Sequence, residues 1–127
     1  MRLALDTNRY IDLCNGDTEA LTLLEEAELV VLPFIVLGEL RAGFAGGRRH
    51  AENDRILRRF LLKDRVEIFF AGEQTTHHYA NVFRQLRQQG TPIPTNDMWV
   101  AALVLQHDLV LYARDKHFDC LPQLVRV

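Results

Sequence analysis

Cysteine is scarce in this 127-residue chain: Cys14 and Cys120 are the only two, far apart and outside any CxxC pair. A disulfide framework is thereby excluded, and both read as plain core or helix-face thiols. Long apolar runs are missing as well, since nothing approaches the roughly 20 residues of a bilayer span. Charge arrives too soon after Met1, at Arg2 and Asp6, to leave room for a signal-peptide core, so the default location is cytoplasmic. There is no internal repeat, no low-complexity tract and no linker, and residues 1–127 are expected to form one domain. The five histidines are scattered, and the neighbours His77 and His78 cannot share a helix face, which argues against a zinc site. Disorder is excluded by an ordinary composition, 48% hydrophobic and 25% charged.

A large charge of one sign is also absent, but the net value of −2 conceals an asymmetry. Residues 1–28 hold seven acids against two bases, and residues 41–65 hold eight bases against three acids. The basic stretch reads either as a solvated helix face or as a contact surface for phosphates. On the second reading Arg48, Arg49, Arg55, Arg58 and Arg59 are the candidate contacts to a phosphate backbone.

Short apolar runs alternate with helical stretches, the pattern of an α/β fold built on a parallel sheet. Strands are expected at Arg2–Asp6, Leu29–Leu32, Val66–Phe70 and Leu109–Tyr112, with Leu124–Val127 as a fifth at the edge. Helices are expected over Asn8–Cys14, Thr18–Ala27, Pro33–Phe44, Arg49–Leu62, Glu73–Gln89 and Asn96–His107. Gly90 stops the fifth of these, and Thr95 is the expected N-cap of the sixth. That sixth helix is apolar on most sides and is expected to be buried.

Four acids occupy positions awkward for folding and useful for metal chemistry. Asp6 ends the first strand and Asp115 follows the fourth, at the sheet edge where ligands bind in open parallel sheets. Asp97 lies in the first turn of the apolar helix, where the helix dipole favours negative charge. Glu39 sits among apolar neighbours in Phe-Ile-Val-Leu-Gly-Glu-Leu, and faces either a polar cavity or a desolvation cost of several kcal/mol. Gathered together, such acids repel one another unless cations join them, and an all-oxygen site suits Mg²⁺ or Mn²⁺. That chemistry is suited to cutting phosphodiesters. No GxSxG and no Cys–His arrangement offers a side-chain nucleophile, and neither His77 nor His117 is assigned a part.

Four blocks stand in order along the chain: Leu-Asp-Thr-Asn at 5–8, Gly-Glu-Leu at 38–40 followed by Gly43, Pro-Thr-Asn-Asp-Met-Trp-Val-Ala-Ala at 94–102, and Ala-Arg-Asp-Lys-His-Phe at 113–118. Together they resemble the PIN-domain proteins over essentially the whole chain, and more narrowly the VapC-type toxins of toxin–antitoxin pairs. The resemblance implies a PIN-like three-layer fold, with a mostly parallel sheet of four to five strands flanked by helices. It also implies an endoribonuclease dependent on Mg²⁺ or Mn²⁺, with RNA as substrate, a cognate antitoxin as partner, and a homodimer. Asp6, Glu39, Asp97 and Asp115 fall on the family's four acidic positions, with Asp6, Asp97 and Asp115 as metal ligands and Thr7 and Asn8 in support. One departure is Ala113, where the family often has Thr or Ser; a hydrogen bond that helps seat Asp115 is then expected to be missing, and Asp119 is an alternative ligand.

Other α/β classes fit less well. Phospho-acceptor receiver domains need an acid at the end of the third strand, which here runs Val-Glu-Ile-Phe-Phe-Ala-Gly. Dehalogenase-like phosphatases need a second Asp two residues after the first, where this chain has Asn8. Two variants of the main reading are a PIN-fold ribonuclease of RNA processing and a catalytically silent RNA- or protein-binding PIN domain.

Overall fold

The computed structural model describes all 127 residues. Four strands, β1 (Arg2–Leu5), β2 (Leu29–Pro33), β3 (Val66–Phe69) and β4 (Val110–Tyr112), form one parallel sheet in the order β3-β2-β1-β4. The helices are α1 (Thr7–Cys14), α2 (Thr18–Glu26), α3 (Phe34–Ala45), α4 (His50–Leu61), α5 (Glu73–Gln89) and α6 (Thr95–Gln106), and a 3₁₀ turn covers Lys116–Cys120. The expected α/β class and all six helices are therefore found.

The inner strands explain why the sequence reads as unbroken apolar runs. β1 and β2 have neighbours on both sides, and Leu3, Ala4, Leu5, Val30, Val31 and Leu32 are all buried. Strands covered by helices on both faces need apolar side chains at every position rather than at alternate ones. The outer strand β3 tolerates the exposed Glu67. Val100–Val104 of α6 are buried without interruption, as the lack of a polar face on that helix requires.

The order of strands positions the site. The chain builds outward from β1 to β2 to β3, then returns through α5 and α6 to add β4 on the other side of β1. Crossovers between parallel strands are right-handed as a rule, so connections running in opposite directions from β1 put helices on both faces of the sheet. The reversal lies between β1 and β4, and the crevice beyond their carboxyl ends is where this class of fold binds ligands. Asp6 follows β1 directly, and Asp115 lies three residues after β4.

Two expectations need correction. The fifth strand is reduced to a single parallel bridge, Leu111 to Arg126. β4 spans only three residues, so the tail finds room for two backbone hydrogen bonds, both to Leu111, and no ladder. Thr95 is the first helical residue of α6 and Pro94 is its N-cap, whose ring presets φ near the helical entry without any side-chain cap. Gly90 does close α5, in the left-handed conformation (φ 71°) that glycine adopts without a Cβ clash.

Candidate active site

Asp6 is the deepest acid of the four, only 5% exposed. It holds the N-cap position of α1, yet its side chain makes no capping hydrogen bond. Its backbone N–H donates to the Tyr112 carbonyl (3.1 Å), which joins the end of β1 to the end of β4. The carboxylate is thus held at the sheet edge without being consumed by the local fold.

The other acids come from three separate elements. Glu39, half-buried in the middle of α3, accepts a 2.8 Å hydrogen bond from the Thr7 hydroxyl, tying α3 to the first turn of α1. Asp97 is in the first turn of α6, and its side chain is 13% exposed. Asp115 caps the 3₁₀ turn, its Oδ1 accepting from the His117 backbone N–H at 2.9 Å. The His117 ring folds back between the two, with Nδ1 2.8 Å from Asp97 Oδ2 and 2.9 Å from Asp115 Oδ1.

The electrostatics register the convergence. Burial pushes the Asp6 carboxyl up to about 6; a backbone N–H from Thr7 opposes the rise, and the charges of Asp97, Glu39 and Asp115 add to it. Asp97 is raised as well, first by burial and then by Asp115, against the stabilising hydrogen bond from His117. The His117 imidazole is raised above its ordinary value, chiefly by its hydrogen bond to Asp97. Asp6 and Asp97 therefore resist ionisation within the field of the neighbouring acids unless positive charge is supplied. Asp97, Asp115 and His117 present ligand atoms that all lie within 4.8 Å of one another. The set is dominated by hard carboxylate oxygens, and it fits a hard divalent cation.

The supporting residues divide. Thr7 makes the hydrogen bond to Glu39 described above, whereas Asn8 is exposed and makes no side-chain hydrogen bond to any of the acids. The lack of a hydroxyl at position 113 is offset from elsewhere. Arg126 donates to the carbonyls of Ala113 (2.9 Å) and Asp115 (3.3 Å), so the bridged tail holds the segment that carries Asp115. Asp119 is ion-paired with the same Arg126 and stands apart from the cluster, which removes it as an alternative ligand. His117, given no part in the sequence reading, sits among the acids. Its only sequence signal is the spacing Asp-Lys-His, which a 3₁₀ turn converts into a ring facing its own cap residue.

The arginines of α4 border two clefts. Arg55 and Arg58 border a cleft between α3 and α4, while Arg59 joins Lys63 and Arg65 beside a groove against α1 and α2. Arg58 is 3.3 Å from Asp54, and Arg49 is 3.5 Å from Glu52. Arg48 is exposed in the turn before α4.

The model of the PIN domain family matches residues 3–123. Ribonuclease VapC1 of Haemophilus influenzae (strain R2866) is 31% identical over 125 residues, spanning 94% of this chain and 92% of that protein. Ribonuclease VapC2 of Rickettsia felis is 28% identical, spanning 95% and 92%. Among solved structures, VapBC2 from Rickettsia felis bound to a promoter DNA fragment superposes with a TM-score of 0.86 at 26% identity, covering 100% of this chain and 98% of that one. VapBC-1 from nontypeable Haemophilus influenzae gives 0.84 at 28% identity, covering 100% and 97%. Sheet order, the acids at the carboxyl edge and these matches agree, and the chain belongs to the PIN-domain family.

Proposed function

We propose that this protein is an endoribonuclease, the toxin of a type II toxin–antitoxin pair, and that it cuts RNA phosphodiester bonds with the help of Mg²⁺ or Mn²⁺. The observation that carries the reading is the gathering of Asp6, Glu39, Asp97 and Asp115 at one edge of the sheet, in a chain similar over most of its length to VapC ribonucleases. Asp6, Asp97 and Asp115 would hold the cation, with His117 beside the last two. A cation bound there supplies Lewis acidity toward a phosphate oxygen and lowers the pKa of a bound water. Glu39, oriented by Thr7, is the carboxylate left to accept a proton from the attacking water. Burial of Asp6, and the low exposure of the Asp97 side chain, strengthen the charge interactions within the cluster.

The exposed Arg48, Arg49, Arg55, Arg58 and Arg59 are proposed to hold RNA phosphates. A groove between α1, α2 and α4, of about 390 Å³ and lined in part by Leu13, Leu21, Leu24 and Ile56, suits an apolar segment of an antitoxin. The protein is further proposed to act as a single-domain homodimer in the cytoplasm; no helix is long and apolar enough to cross a membrane.

Purified protein incubated with total cellular RNA, with Mn²⁺ or with chelator, tests the reading. Discrete cut ends that require Mn²⁺ and vanish in Asp97→Asn are expected. Cleavage that survives in chelator or in the variant would overturn the metal assignment, and intact RNA throughout would overturn the nuclease.

A further inference from the structure

Phe70 is a large aromatic side chain left 67% exposed, immediately after the edge strand β3. Its ring stacks against Phe34, the first residue of α3, with centroids 6.2 Å apart and planes 25° from parallel. Phe34 also lines a groove of about 330 Å³, together with Gly38, Glu39 and Asn96. The groove therefore shares Glu39 with the acidic cluster, and Asn96 is next to Asp97 in sequence. Its size lies at the small end of ligand pockets, about 300–1,000 Å³.

The sheet sets the distance between the rings and the acids. Pro33 pairs with Phe69, and Ala4 pairs with Val31, so continuing the register by two residues sets Asp6 level with Pro33. Adjacent strands are spaced by roughly 4.8 Å, so Asp6 and Phe69 lie about 10 Å apart along one edge. A strand of RNA whose phosphate sits at the acids has its neighbouring base within reach of Phe34 and Phe70.

We propose that Phe70 and Phe34, with the groove lined by Gly38 and Asn96, form a stacking subsite for one unpaired nucleobase flanking the phosphate that is cut. The inference rests on the endoribonuclease reading and deepens it. A nucleobase has the two properties this surface addresses: an apolar face for an open aromatic ring, and a polar edge for the Asn96 amide, which both donates and accepts. A base inside a duplex presents neither face, so the subsite selects single-stranded RNA. Glu39 is the only ionisable residue lining the groove, so the recognition is by stacking rather than by charge.

Three substitutions test it in the full chain. Phe70→Ala removes the exposed ring. Gly38→Leu fills the groove; a Cβ at Gly38 meets no atom within 4 Å, and leucine favours the helix. Phe70→Trp restores an aromatic face. Binding is read with a short single-stranded RNA carrying 2-aminopurine, in an Asp97→Asn background with Mg²⁺; cleavage kinetics use the intact acids. Phe70→Ala and Gly38→Leu should each raise Kd and KM about tenfold, with kcat within about twofold and melting unchanged, and Phe70→Trp should recover wild-type values. Unchanged Kd and KM in both variants, or no binding of the single strand at all, overturns the subsite. Loss of antitoxin binding in Phe70→Ala with RNA binding intact reassigns the surface to a protein partner and overturns it too. A Kd that responds while the wild type cuts no RNA leaves the subsite standing and removes the nuclease reading instead.

Discussion

The carboxyl edge of the sheet and the outer face of α4 both concentrate charge of one sign, and they treat it in opposite ways. On and beside α4 the arginines are exposed and partly neutralised nearby: Arg58 of α4 shares Asp54 with Arg41 of α3, and Arg49, at the start of α4, meets Glu52. Exposed pairs of this kind contribute about 0–1 kcal/mol each, so the helix carries its charge at little cost. At the sheet edge, Asp6 is buried with no capping role, Asp97 is nearly so, and the only cation-forming side chain bound to the cluster is His117. Charge held at low cost is suited to attracting a polyanion. Charge held against burial and mutual repulsion is poised to take up a metal ion.

The sharpest way to break this contrast is to remove one acid. Asp97→Asn should lower kcat/KM for RNA at least about a hundredfold, since the Lewis-acid contribution at stake is several kcal/mol. The measurement is initial rates on a defined RNA in millimolar Mn²⁺.

The same edge should reveal its cost when no cation is present. Asp6 titrates near 6 in the folded protein and in the ordinary carboxylate range when unfolded. A raised carboxyl favours the folded state while protonated, and this advantage disappears as pH rises through 6. In chelator, the wild type should therefore gain stability as pH falls from about 7 to 4, relative to Asp6→Asn. At pH 7 Asp6→Asn should be the more stable of the two, by on the order of 2 kcal/mol. Thermal melts across that range check the sign. Mn²⁺ should raise the wild-type Tm by mass action and leave Asp97→Asn much less affected.

On α4 the effect should be smaller and different in kind. Arg55→Ala with Arg58→Ala should raise KM several-fold, leave kcat nearly unchanged, and reduce the salt slope of RNA binding by one to two, roughly one per phosphate contact. An unaltered slope would assign this face to solvent or to a protein partner. The smallest change is expected for Thr7→Val, which removes one hydrogen bond to Glu39 worth about 1 kcal/mol. Its kcat/KM should fall about fivefold, with Mn²⁺ affinity read from melts little altered.

Much of the fold was legible because its signals are local. β1 and β2 read as apolar runs since burial on both faces demands it, and Gly90 marked the end of α5 through a conformation open to few residues. Asp6, Glu39, Asp97 and Asp115 were visible as acids at the ends of strands or among apolar neighbours. The tail was misread as a strand because its composition is apolar and says nothing of how short its partner β4 is.

By itself the sequence determined which elements form, the α/β class and the four acids, because propensity, periodicity and capping act within a few residues. Only the tertiary structure decided what meets at the sheet edge. It brought His117 between Asp97 and Asp115, turned Asp119 away to Arg126, let that arginine hold the segment lacking a hydroxyl at position 113, and left Phe70 open beside Phe34. Each of these contacts joins residues brought together by strand order or by a single turn of 3₁₀ geometry. Such pairings depend on the register and crossover of whole elements, which no local pattern in the chain records.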